Sequence, residues 1–146
     1  PVLGHWLLET DIARWCSTLG ALLDSRVDII EAIQLSNQGV FSSSRRARFE
    51  RVVNHVKDGS GLADSLEKEM VLTSVGYNLI RSGEKAGKVA PMVTALSKLY
   101  DDAGKNRMKK LVGLIEPVAV LLIGVFVGAI VLGVMLAITS VNMSGV

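Results

Sequence analysis

Residues 117–138 carry no charged and no polar side chain. The run opens on Pro117, closes on Ile138 and holds only Val, Ala, Leu, Ile, Gly, Phe and Met between them. As a helix its 22 residues extend roughly 33 Å at about 1.5 Å per residue. The hydrocarbon core of a bilayer is about 30 Å thick, so the segment can span it. Whatever precedes it folds as a domain tied to a membrane.

The charges around the run are lopsided. All 16 Lys and Arg lie at or before Lys110, and the only charge beyond it is Glu116. Residues 105–110 (Lys, Asn, Arg, Met, Lys, Lys) abut the run without an acid. The positive-inside rule places this flank in the cytoplasm and the tail on the far side. The expected division is a helical bundle over 1–110, a transmembrane helix over 111–139 and a short tail over 140–146. A secretory signal peptide does not fit, because the run is C-terminal and too long, and Glu9, Asp11, Arg14 and Asp24 interrupt the N-terminal stretch.

A net charge of +2 is too weak to point to nucleic acid. The single Cys16 excludes an internal disulfide and suits a reducing compartment. A chain that begins at Pro1 without an initiator Met is expected to be a piece of a longer protein.

Apolar residues recur with a helical period through the first 110 positions. Leu8, Ile12, Trp15, Cys16, Leu19, Leu22 and Leu23 step by three and four, as do Phe49, Val52, Val53 and Val56. Val89, Met92, Val93, Leu96, Leu99, Tyr100 and Ala103 sustain the step for four turns. No run alternates with period two, so no strand is expected. Asp28 predicts the start of a helix, with Glu31 completing a capping box, and Gly39 its left-handed end. Ser42, Ser43 and Ser44 offer caps for an Arg-rich third helix. Gly59 and Gly61 precede a short fourth helix over 62–68. Thr73 opens a fifth that should stop at Gly83. No turn signal except Gly113 separates the sixth helix from the apolar run. The fold class is all-α: an antiparallel six-helix bundle followed by one C-terminal transmembrane helix.

The stretch Ser82-Gly83-Glu84-Lys85-Ala86-Gly87-Lys88-Val89, with Glu116 and Pro117 opening a Gly-rich span, resembles a known family. So do residues 27–33 (Val-Asp-Ile-Ile-Glu-Ala-Ile) and 59–66 (Gly-Ser-Gly-Leu-Ala-Asp-Ser-Leu). The chain is similar, over roughly residues 19–138, to the inner-membrane platform protein of bacterial type II secretion and type IV pilus machines. Members carry two copies of a six-helix cytoplasmic domain and three membrane helices. This chain resembles the second copy plus the last span. Arg26 and Asp28 stand where members usually have glycine and proline, and residues 71–73 where a Phe-Pro pair is usual.

The resemblance implies a non-enzymatic platform that couples a cytoplasmic secretion ATPase to assembly of pilin or pseudopilin subunits. It implies contacts with other inner-membrane assembly proteins, with a second copy of itself and with the lipid bilayer, and it implies a periplasmic C-terminus. No cofactor and no nucleic acid are implied. A membrane-anchored signalling or regulatory module and a transporter fragment are the alternatives.

The motif residues admit two readings each. Gly83 and Gly87 bracket a tight reversal between helices five and six, with the Glu84 carboxylate placed to accept from free N–H groups at the start of helix six. By resemblance, the same corner contacts a partner. Glu116 either snorkels to headgroups or pairs with a base on a neighbouring helix. Pro117 removes the hydrogen bond to the Gly113 carbonyl, so a kink is expected. Gly124 and Gly128 form a small-xxx-small step that suits close helix packing or is merely tolerated in lipid. Arg45, Arg46, Arg48 and Arg51, with His55 one turn on, form a basic face that is solvated or meets anionic headgroups or an acidic partner.

Catalytic patterns are missing: no phosphate loop, no Cys-x-x-Cys and no His-Glu-x-x-His occurs in the sequence. His5 and Cys16 on one helix would stand about 16 Å apart. Asp101 and Asp102, being adjacent, point about 100° apart. Two distant histidines give no metal-ligand spacing.

Overall fold

The computed structural model describes residues 2–145, with the side chains of Val2, Leu3 and His5 outside the described set. Among these residues there are six helices and no strand. The chain divides into two compact units, Pro1–Asn106 and Arg107–Val146.

The first unit is a helical bundle. α1 (Val2–Asp24) and α2 (Ile29–Asn37) form its first hairpin, and α3 (Ser43–Lys57), α4 (Leu62–Lys68) and α5 (Ser74–Ala86) follow on short connections. α6 (Val89–Ser144) begins here, burying Val93, Leu96, Tyr100 and Gly104. The anticipated periodic stripes make the core. Trp15 stacks on Phe49 with ring centroids 4.5 Å apart. Its indole N–H donates to the buried Asn37 Oδ1 at 2.8 Å, which satisfies a polar tip that would otherwise be costly to bury. Cys16, Leu19, Ile33, Leu66 and Ile80 are fully enclosed around this pair.

Helix starts follow the caps. Asp28 accepts from the Ile30 N–H at 3.2 Å, two residues in, where the capping-box reading placed the bond at Glu31. Thr73 accepts from Gly76 N–H at the start of α5. Ser42 occupies the N-cap position of α3 without a side-chain bond.

Two glycine expectations need correction. Gly39 does not take a left-handed conformation: the positive-φ glycines are Gly59 and Gly87. α2 instead unwinds through three-residue turns, with Gly39 N–H donating to Ser36 and Val40 N–H to Asn37. α5 does not stop at Gly83 but runs to Ala86. The residue that closes α1 in the left-handed region is Arg26, at φ 60°, where an L side chain is disfavoured.

The second unit holds the rest of α6. The helix is unbroken through Pro117, and from residue 112 onward every described residue is exposed. It is long and apolar enough to cross a membrane.

Candidate functional site

The motif residues of the first unit converge on the corner between α4 and α5. α4 begins at Leu62 behind Gly61, which has no side chain to cap it, so its first N–H groups need an acceptor from elsewhere. Glu84 supplies one. Its Oε2 accepts from Leu62 N–H at 3.0 Å and its Oε1 from Ala63 N–H at 2.7 Å. The carboxylate thus sits at the positive end of α4, not at the start of α6 as the sequence suggested. The reason is the longer α5: Glu84 lies within that helix, a turn on from Ile80 and Arg81, on the side that meets α4. Arg81 reinforces the contact, its Nη2 lying 2.8 Å from Asp64 Oδ1 and 2.6 Å from Glu67 Oε2.

The two glycines do different work. Gly83 is a buried helical position where a Cβ would come within 2.8 Å of Met92 Cγ and 2.9 Å of the Lys88 carbonyl oxygen. It permits the close approach of α5 and α6. Gly87, at φ 67° and ψ 26°, makes the reversal. Lys88 N–H donates to Gly83 O at 2.7 Å and Gly87 N–H to Glu84 O at 3.4 Å, the paired bonds of a Schellman ending. Lys85 and Lys88 remain exposed beside it.

The loop between α4 and α5 contains Met70 at φ 50° and is held by tyrosines. Leu72 N–H donates to Tyr77 Oη at 3.1 Å, and Thr73 N–H to Tyr100 Oη at 2.9 Å. Burial pushes the Tyr77 phenol above its ordinary pKa. At the end of α4, Glu69 accepts from Arg51 Nε at 2.8 Å and lies 2.9 Å from His55 Nε2. The hydrogen bond with His55, aided by Arg51, holds its carboxyl below the usual range. Tyr77, Glu69 and Arg81 were not singled out from the sequence, and Tyr100 was read only as part of the apolar stripe of the sixth helix. The available signal was Gly61, a helix start with no acceptor of its own.

Three of the four arginines of the predicted basic face are tied to acceptors within the bundle, although Arg46 and Arg51 remain exposed. Arg45 pairs with Asp11 at 3.0 Å, and the Asp11 side chain is only 6% exposed. Arg46 donates twice to the Val40 carbonyl, at 3.2 and 2.7 Å, and Arg51 is held by Glu69. Arg48 stays exposed. The helix therefore ties α1, the loop after α2 and the end of α4 together. A groove of about 710 Å³ lined by Gln34, Asn37, Gln38, Glu50 and Asn54 runs between α2 and α3.

Cys16 is fully buried and its thiol is pushed up to about 12 by burial, so it is no nucleophile. The side chain of His5, which helix spacing already set too far from Cys16 to pair with it, lies outside the described residues. Asp101 pairs with Lys105 at 2.8 Å. Among the described residues no cluster of His, Cys, Asp and Glu is arranged to hold a metal.

In the second unit Glu116, Pro117, Gly124 and Gly128 are all exposed. A Cβ at Gly124 or Gly128 would meet nothing within 4 Å, so the small-residue step is open.

The sequence model for type II secretion system protein F matches residues 15–137, crossing both units. Type II secretion system protein F of Pseudomonas aeruginosa is 29% identical over 97% of this chain, which covers 35% of that protein. Type IV pilus assembly protein PilC of Myxococcus xanthus is 28% identical over 96% of the chain and 34% of its own length. The ComG operon protein 2 homolog of Halalkalibacterium halodurans is 26% identical over 93% and 42%. The chain thus spans about a third of the curated relatives it matches. With the match covering most of its length, the chain belongs to the type II secretion system protein F family.

Proposed function

We propose that the chain is the second cytoplasmic domain and last membrane span of a non-enzymatic platform subunit in a type II secretion or type IV pilus machine. The bundle faces the cytoplasm and receives work from a separate secretion ATPase. The span carries it to pilin-like subunits lifted from the inner membrane, and the C-terminus is periplasmic. The partner hydrolyses the ATP. The observation that carries this reading is the extent of the family match, which runs through the bundle and into the apolar span without a break. The lopsided charge on either side of the span supports the orientation.

Gly83, Glu84 and Gly87 fit this role as a rigid corner that displays Lys85 and Lys88. Glu116 and Pro117 would lie at the cytoplasmic boundary of the span, and Gly124 with Gly128 would be its helix-packing face.

The test joins genetics to topology. Deleting the gene should abolish secretion or piliation, and the wild-type gene should restore it; normal secretion and piliation in the deletion strain would sink the proposal. Lys98→Cys should resist a membrane-impermeant maleimide added to spheroplasts while Asn142→Cys reacts. Cys16, being buried, contributes no background. The reverse labelling pattern would overturn the orientation.

A further inference from the structure

Arg45, Arg46 and Arg51 of α3 are each tied to an acceptor within the bundle, but Lys109 and Lys110 have no such partner. Both are exposed, and neither makes an ion pair among the described residues. Along α6 the nearest acids are Asp102 and Glu116, seven residues before Lys109 and six after Lys110. That separation is roughly 9 Å or more along the axis.

Adjacent helical residues point about 100° apart, so the two ammonium groups diverge around one side of the helix. Gly113 is four residues on from Lys109 and three from Lys110, which puts it on the side between them. It offers no side chain there, and a Cβ at Gly113 would meet nothing within 4 Å. Two cations therefore flank a gap of bare backbone. Glu116 lies nearly under Lys109 on the same side of the helix, but about two turns and roughly 10 Å further along the axis, so its carboxylate does not occupy the gap beside Gly113.

The axial position is equally specific. Residues 111–138, which include one charge, Glu116, extend roughly 42 Å as a helix. A bilayer with its headgroup layers is about 40–45 Å thick. With Pro117 at the cytoplasmic edge of the hydrocarbon core, Lys110 and Lys109 lie roughly 10–12 Å further out along the helix, at the outer side of the headgroup layer, from which a lysine stem reaches back to the lipid phosphates.

We infer that Lys109, Lys110 and the bare face at Gly113 form a binding site for the phosphate of an anionic phospholipid. The site rests on the membrane placement of α6 in the proposed function, and not on which machine the chain serves. Lysine is suited to the task because its flexible stem lets a compact ammonium follow a mobile phosphate. A cation near an anionic membrane surface gains about 1 kcal/mol, a factor of about five each.

The intact chain in detergent is titrated with phosphatidylglycerol or phosphatidylcholine, and bound lipid is counted by native mass spectrometry. The wild type should retain phosphatidylglycerol about 25-fold better than phosphatidylcholine, and K109Q/K110Q should bring the two within about twofold. K109R/K110R and Arg48→Gln should both keep the preference. Equal retention of the two lipids by the wild type, or a preference that survives K109Q/K110Q, would overturn the site. So would displacement by excess inorganic phosphate, which marks a free-anion site. Flotation with pure phosphatidylcholine vesicles checks insertion separately. A chain that does not float loses this site and the membrane reading beneath it, whereas a chain that floats without lipid preference loses this site alone.

Discussion

Removing the Glu84 carboxylate tests whether the corner is built as described. Two bonds reach it from the first two N–H groups of α4, at 3.0 and 2.7 Å. Loss of an N-cap acceptor costs about 1 kcal/mol, up to about 2, and a charge at a helix N-terminus adds about 0.3–1 kcal/mol. Glu84→Ala should therefore destabilise the bundle by about 2 kcal/mol, and Glu84→Gln, which keeps one acceptor, by about half of that. For a domain of this size each kcal/mol is about 4–8 °C, so the Ala variant should melt roughly 10 °C lower.

Gly61 supplies the control. Its φ of −64° and ψ of 155° suit an N-cap serine, but a Cβ there would lie 3.0 Å from Glu84 Oε2. Gly61→Ser should be neutral or slightly harmful with Glu84 present and recover about 1 kcal/mol in Glu84→Ala, a coupling that a double-mutant cycle measures directly. Urea unfolding read from Trp15 fluorescence gives the four stabilities, and hydrogen exchange at Leu62 and Ala63 localises the loss. A Glu84→Ala cost below about 0.5 kcal/mol, or an equal gain from Gly61→Ser in both backgrounds, would refute the trans-cap.

Two further substitutions follow from backbone and charge. Arg26→Gly should raise stability by about 0.5–1 kcal/mol in the same assay, because it relieves an exposed L residue at φ 60° at the expense of a floppier unfolded chain; a loss would mean that the Arg26 side chain is doing unseen work. Glu69 has a depressed folded-state pKa, so its carboxylate contributes stability that is complete above the unfolded carboxyl value and disappears as pH falls through the folded one. Glu69→Gln should cost about 1 kcal/mol at neutral pH and show a shallower loss between neutral pH and the folded-state value; parallel acid profiles for the two proteins would contradict the assignment.

Much of the bundle was legible because burial imposes a helical period that side chains must obey. The stripe through Trp15, Cys16 and Leu19 and the one through Phe49, Val52 and Val53 both ended in the core. Asp28 and Thr73 were readable as caps because a cap is a local bond. Glycine was harder, since one residue type serves two ends. It can supply a positive φ, as at Gly87, or remove a Cβ from a crowded contact, as at Gly83, and only the fold separates these. Arg26 shows the converse, a left-handed turn with no glycine to announce it. The basic face misled because its acidic partners, Asp11 and Glu69, come from α1 and the end of α4, 34 residues from Arg45 and 18 from Arg51.

The Glu84 contact bears on how a platform domain should be dissected. A family motif at a helix corner invites the inference that its acid touches a partner. Here both carboxylate oxygens already accept from α4, and Gly83 is buried against Met92 and the Lys88 carbonyl. Changing either residue loosens α4 and α5 before any partner is considered, so a secretion defect at these positions reports first on folding. Lys85 and Lys88 stand on the same corner, exposed and outside those bonds. A surface charge reversal there is expected to change stability by no more than about 0.5 kcal/mol. A partner contact at the corner would therefore appear as lost function in Lys85→Glu or Lys88→Glu with an unchanged melting curve. If those variants secrete normally and only Gly83 and Glu84 matter, the motif is a structural joint whose output lies elsewhere on the bundle.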